Sequence, residues 1–264
     1  MTVVEEQERG YVAARRVREK LGLGLEAPLS DIVEVIEDLE AVPVTVLNLP
    51  PGIAGLQGRK QDRSFIFVNS DEAAVRQRFT LAHEFGHVSL SHGGSIDYTA
   101  DVLGAARRPP KEVQADGFAA EFLAPLAGVR TWLGLVGEPP LSLDVVVRLA
   151  NHFHVSAEVA LYRLQAVWRL TKAKYQPLEE AIVRREHQAL ATRLGLRSCD
   201  DTLEKAKTSL PRLPRETITH AVTAYERGLL TPEQIAALLQ IDVRRVKREI
   251  ETRGVTPPES QLDY

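Results

Sequence analysis

The pentapeptide His83-Glu84-Phe85-Gly86-His87 constrains the fold of this chain more than any other stretch. It falls in a segment, from about residue 71 to 91, whose apolar positions recur at helical spacing. On a helix, residues i and i+4 share a face, so His83 and His87 project side by side and both imidazoles can reach one metal ion. Chance gives about 0.02 such H-E-x-x-H matches in a chain of this length, so the pair is read as ligands rather than as two packed histidines. Glu84 stands beside them without being a ligand, where its carboxylate can take a proton from a water as a general base. A catalytic zinc takes three protein ligands. A fold built on this helix must therefore bring a further donor to it from another element.

Residues 112–123 read as a helix that offers Glu112 and Asp116, again at i and i+4. Glu112 is the candidate third ligand. Asp116 is the candidate acceptor for the other ring nitrogen of a ligand histidine, which would set its tautomer. Ala115, Ala119 and Ala120 let this helix pack closely on the first, and Gly86 offers a matching close approach. His92 and Asp97 are weaker third-ligand candidates. A metzincin would need histidine at position 93, which is Gly93. A carboxylate from a later helix, the gluzincin arrangement, fits better. Donors to the developing oxyanion or to substrate are sought at Tyr98, His92 and His154, with His152 and Tyr162 as further candidates.

The strand SFIFVN (64–69) leads into the central helix, and 44–50 reads as another strand, with a third around IAGLQ. Asn69 and Glu72 read as a capping box for the central helix. Other helices are expected at 3–21, from Ser30 or Asp31 to Pro43, at 142–150 and 156–170, and at 216–227, 231–239 and 243–253. The first of these has balanced charge, with Glu5, Glu6 and Glu8 among its acids. The segment 92–111 reads as a loop. The division that follows is 1–170 for a metallopeptidase domain, 171–213 for a helical linker or extension, 214–254 for a small helix-turn-helix-like lobe, and 255–264 for a tail. The fold class is α+β: a zincin-like core with a small antiparallel sheet and a mostly helical body, plus a C-terminal helical lobe.

With 264 residues, 33 basic against 36 acidic side chains and a formal net charge of -3, the chain carries no global bias toward nucleic acid or membrane. Cys199 stands alone, which excludes an intrachain disulfide and any cysteine metal cluster. MTVVEEQERG lacks the apolar stretch of a signal peptide, and no run of apolar residues is long enough to span a bilayer. The cytoplasm is the expected address.

RQRFTLAHEFGHVSLSH (76–92) and EVQADGFAAEFLAP (112–125) closely resemble the ImmA/IrrE family of metallopeptidases, as do IFVN (66–69) and LANHFHVSAEVALYRL (149–164). The resemblance covers about residues 5–170 and rests on these blocks occurring together and in order. It implies His83, His87 and Glu112 as metal ligands and Glu84 as catalytic base, with zinc, or manganese in some members, as the metal. Asp116 stands where the family often has Asn, which leaves an acceptor in place. The resemblance further implies a zinc-dependent, site-specific endopeptidase acting on a helix-turn-helix repressor, and so a role in derepressing stress-response genes or mobile genetic elements. The chain lacks room for the GAF-like sensor domain of one branch.

Two segments, 149–164 and LTPEQIAALLQIDVRRVKREI (230–250), read like helix-turn-helix texts. The second carries Arg244, Arg245, Lys247 and Arg248, but residues 215–254 hold seven bases against six acids, so partner contact is favoured over DNA contact. The rival reading is a non-catalytic regulator that binds DNA or a repressor and carries a structural or vestigial metal site.

Overall fold

The computed structural model describes residues 2–98, 109–137, 139–196 and 212–255, with the side chains of Leu39 and Tyr98 excepted. Cys199 and the tip of the 92–111 segment lie outside the described residues.

Helix α1 (Val3–Lys20) is closed at its start by a capping box between Thr2 and Glu5, and α2 (Ile32–Glu40) by the Asp31 carboxylate, which accepts from two backbone amides. Strands β1 (Val44–Leu47), β2 (Ile53–Lys60) and β3 (Arg63–Asn69) follow. After helix α3 (Ala74–Ser89) comes the edge strand β4 (Ser95–Tyr98). The helical body continues as α4 (Pro110–Leu123), α5 (Leu126–Leu135), α6 (Leu143–Phe153), α7 (Ala157–Trp168), α8 (Lys172–Val183) and α9 (Glu186–Arg193). Helices α10 (Arg215–Glu226), α11 (Pro232–Leu239) and α12 (Val243–Thr252) are the last among the described residues.

The architecture is α+β, but the sheet is mixed rather than antiparallel. Its order is β1-β3-β2-β4, with β1 parallel to β3 and the other neighbours antiparallel. The cause is local. Gln61 and Asp62 both take positive φ, the two-residue turn that suits a hairpin's twist, and they lock β2 against β3. The Pro50-Pro51-Gly52 connection carries the chain past the place that β3 then fills, so β3 meets β1 running the same way. The expected capping box at Asn69 and Glu72 does not form. The helix begins at Ala74 without a side-chain cap. Asn69 is used instead to tie loops together, accepting from the amides of Leu49 and Asp71 and donating to the Ile53 carbonyl at 2.8 Å. Helix α5 went unread in the sequence.

Helix α3 lies between the sheet and α4, and it is buried along most of its length. Phe85 on α3 meets Phe118 and Phe122 on α4 in one aromatic cluster. This cluster joins the main core, which runs from Ala14 on α1 to Ile182 on α8. A second, separate cluster sits in the last three helices around Val222, Ile235, Val246 and Ile250. The two are linked by an isolated bridge between Val46 and Arg212, and by ion pairs of Arg212 with Glu37 and of Arg215 with Asp38.

Glycines set how closely the elements approach. A Cβ at Gly10 on α1 would stand 2.1 Å from the Gln114 carbonyl oxygen of α4, and one at Gly117 would stand 2.7 Å from the Gln7 carbonyl. Both obstacles are backbone, so neither can swing aside. Arg18, fully buried, then staples the far end of α1 by donating to the carbonyls of Gly24, Phe122 and Ala27. We expect Gly10→Ala to lower unfolding stability by about 2–3 kcal/mol, the cost of overpacking against a rigid neighbour. Chemical denaturation followed by circular dichroism reads this directly. An unchanged midpoint would show that the α1–α4 contact is looser than its geometry.

Candidate metal centre

Helix α3 carries His83, Glu84 and His87, all buried. Helix α4 begins at Pro110, whose fixed φ suits the first helical turn, and this sets Glu112 within that turn. Gly86 lets the two helices close up: a Cβ there would lie 3.1 Å from Phe118. The approach brings three donor atoms together. His83 Nε2 and His87 Nε2 are 3.0 Å apart, and Glu112 Oε2 lies 3.2 Å from the first and 3.3 Å from the second. Three ligands at about 2.0–2.1 Å from a tetrahedral zinc would be separated by about 3.3 Å. The triangle is one face of such a tetrahedron, and His83, His87 and Glu112 could together hold a metal ion.

The electrostatics agree with a cation site. Burial alone would lower the His83 pKa, but hydrogen bonds to Asp116 and Glu112 outweigh it and push it up to about 10. Burial works to raise Glu112, yet its bonds to both histidines hold it well below the usual carboxylate range. His87 is lowered, chiefly by burial. The two carboxylates call for positive charge among these atoms.

Each ligand histidine is also gripped from behind. Asp116 Oδ1 lies 3.0 Å from His83 Nδ1. His87 Nδ1 lies 2.9 Å from His92 Nδ1, and His92 Nε2 lies 3.1 Å from Gln114 Oε1. The chain folds back to allow this because Ser91 takes a left-handed conformation after α3, and the His92 amide donates to the His87 carbonyl at 2.9 Å. Burial lowers the His92 pKa.

Glu84 is fully buried between α3 and the sheet, where a Cβ on Gly55 would come within 3.4 Å of its Cγ. Burial pushes its carboxyl up to about 8, with His83 opposing and the buried Asp97 adding to the rise. Oε2 accepts from the Ser95 hydroxyl at 3.3 Å, whereas Oε1 is buried without a hydrogen-bond partner. Ser95 is itself positioned by Gln57 on β2, which donates to the Gly93 carbonyl at 2.7 Å and to Ser95 Oγ.

Of the other residues singled out in the sequence, Tyr98 closes β4 opposite Ile53, and only its backbone is described. His92 does come to the centre, but both its ring nitrogens are taken by His87 and Gln114, which leaves no donor for an oxyanion. His154 stands exposed at the turn between α6 and α7, beside Arg78 and His152 and away from the ligands. Tyr162 shares a 2.7 Å hydrogen bond with Tyr11, and burial raises its pKa. Sequence reasoning passed over Gln114, Glu6, Ser95 and Gln57. Gln114 had a signal, since it lies between Glu112 and Asp116 on the ligand helix. Glu6 had none.

Residues 39–165 match the peptidase family described as the IrrE N-terminal-like domain. Among solved structures, a Mycobacterium tuberculosis transcriptional regulator is similar at 17% identity and a TM-score of 0.41, over 62% of this chain and 52% of that chain. The chain thus spans about half the length of that regulator. No curated protein matches it.

For elemental analysis after zinc loading, we expect about one ion per chain in the wild type and in Glu84→Gln. His83→Ala and Glu112→Ala should lose most of it. Retention by Glu112→Ala would remove that residue from the ligand set.

Proposed function

Since residues 39–165 belong to the IrrE N-terminal-like family of peptidases, we propose that this protein is a metal-dependent endopeptidase of the cytoplasm that cuts one peptide bond in a helix-turn-helix repressor. Family membership supports the metallopeptidase-type function. One observation carries catalysis: Glu84, next to His83 on α3, keeps a buried, unpartnered Oε1 and interacts electrostatically with His83 and Glu112 of the triangle.

His83, His87 and Glu112 hold the ion in this reading. Zinc is the proposed occupant and manganese the alternative, because a donor set of two imidazoles and a carboxylate accepts several divalent ions. When bound, such an ion would supply Lewis-acid chemistry, polarising a substrate carbonyl and acidifying a water. Glu84 takes that water's proton at Oε1, since Ser95 occupies the other oxygen. Burial raises the basicity of the carboxylate, which suits it to hold the proton until it passes to the departing amine. Asp116 keeps the His83 ring in place by accepting from Nδ1. Among the described residues β4 has a neighbour only on its β2 side, so its outer edge offers backbone groups to an extended substrate segment.

The repressor as substrate rests on the family resemblance. We assign catalysis to residues 1–170 and partner docking to the lobe at 214–254, with 171–213 between them and 255–264 as a tail. No helix among the described residues is long and apolar enough to cross a membrane. The second reading, a non-catalytic regulator, is favoured by the join of α11 to α12: residues 240–242 with Gln240 left-handed, the turn of a helix-turn-helix unit. Two of its cations are already paired, Arg244 with Asp242 and Lys247 with Glu233, which favours protein contact over phosphate contact.

The test is incubation of the zinc-loaded protein with the helix-turn-helix repressors of its own genome, each purified, with fragments read by mass spectrometry. We expect one cut by the wild type and a rate at least about 100-fold lower for Glu84→Gln with its metal retained. A Glu84→Gln variant that cuts at the wild-type rate would remove Glu84 as the base. A loaded wild type that leaves the repressor whole would favour the non-catalytic reading.

A further inference from the structure

The two ligand histidines are held from behind by different devices. His83 has a carboxylate directly on its Nδ1. His87 has a second imidazole there, and an imidazole can donate or accept. What decides the direction lies further back. The Gln114 amide nitrogen donates to Glu6 Oε2 on α1, and Glu6 is almost completely buried. An amide nitrogen only donates, so with its NH₂ group spent on Glu6 the Gln114 side chain turns its oxygen toward His92. That oxygen only accepts, so His92 Nε2 carries the hydrogen and His92 Nδ1 keeps its lone pair. His87 Nδ1 must then be the donor across the 2.9 Å contact, which leaves the lone pair of His87 Nε2 facing His83 and Glu112.

We infer that Glu6, Gln114 and His92 form a positioning string that fixes the tautomer of His87, so that helix α1, which lies outside the family match at 39–165, is part of the metal centre. The inference rests on the metal-site reading above and deepens it. Each link is directional, and the polarity of the whole is set at one end by the buried Glu6 side chain. The glycine contacts explain how that side chain gets there: Gly10 and Gly117 let α1 lie against the backbone of α4 around Gln114. His92 and Gln114 are positioning residues, since they act through His87. Asp116 on one side and this string on the other thus fix the orientation of both rings, with the two Nε2 atoms facing each other and Glu112.

The experiment measures zinc affinity by competition with a chromophoric chelator. It also records the imidazole N–H signals of the zinc-loaded, ¹⁵N-histidine-labelled full chain. In the wild type His87 Nδ1–H should be protected and visible. His92→Ala should lose that signal to solvent exchange and weaken zinc binding about 10–100-fold, the usual cost of removing a partner behind a ligand. His92→Asn, whose carbonyl oxygen replaces the accepting nitrogen, should recover most of both. Glu6→Gln, which leaves the end of the string free to face either way, should weaken zinc binding less than His92→Ala does. Circular dichroism checks that each variant is folded. If folded His92→Ala keeps the wild-type affinity and the His87 signal, the string is overturned while the metal site stands. If His92→Asn folds yet recovers neither property, the tautomer role is overturned in favour of packing. A wild type that binds no zinc overturns the metal-site reading, and the string with it.

Discussion

Two imidazole nitrogens and a carboxylate oxygen, all within 3.3 Å of one another, repel unless positive charge lies among them. Everything around the centre serves to hold that unfavourable cluster in place. Asp116 and Glu112 raise the affinity of His83 for positive charge, and the histidines in turn keep Glu112 ionised against its burial. A chain that merely packed two histidines on a helix would not bring two further carboxylates to them. The arrangement costs stability in itself, and the surrounding core supplies it.

That core works through closeness. The Phe85–Phe118–Phe122 cluster pulls α3 and α4 together, and Gly86 removes the side chain that would keep them apart. On the other side of α3, Gly55 admits Glu84 to the sheet, and the edge strand supplies Ser95 to one of its oxygens. Glu84 is thus desolvated on a helix whose next residues bind charge. Burial raises its basicity, while His83 beside it limits the rise. The same helix carries ligands toward α4 and a base toward β4 because adjacent helical residues point about 100° apart.

The last three helices stand apart energetically. Their apolar cluster is their own, and among the described residues their ties to the main body include Arg212, Arg215, the Arg63–Glu216 pair and one bridge to β1. The exposed ion pairs among these contribute little each. A lobe joined by such contacts can keep its own surface for a partner without disturbing the centre, which is anchored in the other cluster.

The grouping of His83 and His87 on one helix face, the later pair Glu112 and Asp116, and most helix positions were legible in the sequence, because spacing along a helix alone determines which residues share a face. Helix α2 begins at its capping aspartate for the same local reason. The parallel pairing of β1 with β3 was not legible, since it depends on where a five-residue connection drops the chain relative to a later hairpin. Nor was the use of Asn69 as a loop tie in place of a helix cap, because the competing partners come from Leu49 and Ile53. Glu6 is the clearest case. In sequence it is one acid of a mixed-charge helix that reads as a solvated surface. Only the approach of α1 to α4 through Gly10 and Gly117 buries it against Gln114 and connects it, through His92, to His87. Local chemistry determined which residues can bind a metal. Long-range packing decided how their protons are arranged, because a tautomer is set by the nearest obligate acceptor, and that acceptor lies about a hundred residues away in the chain.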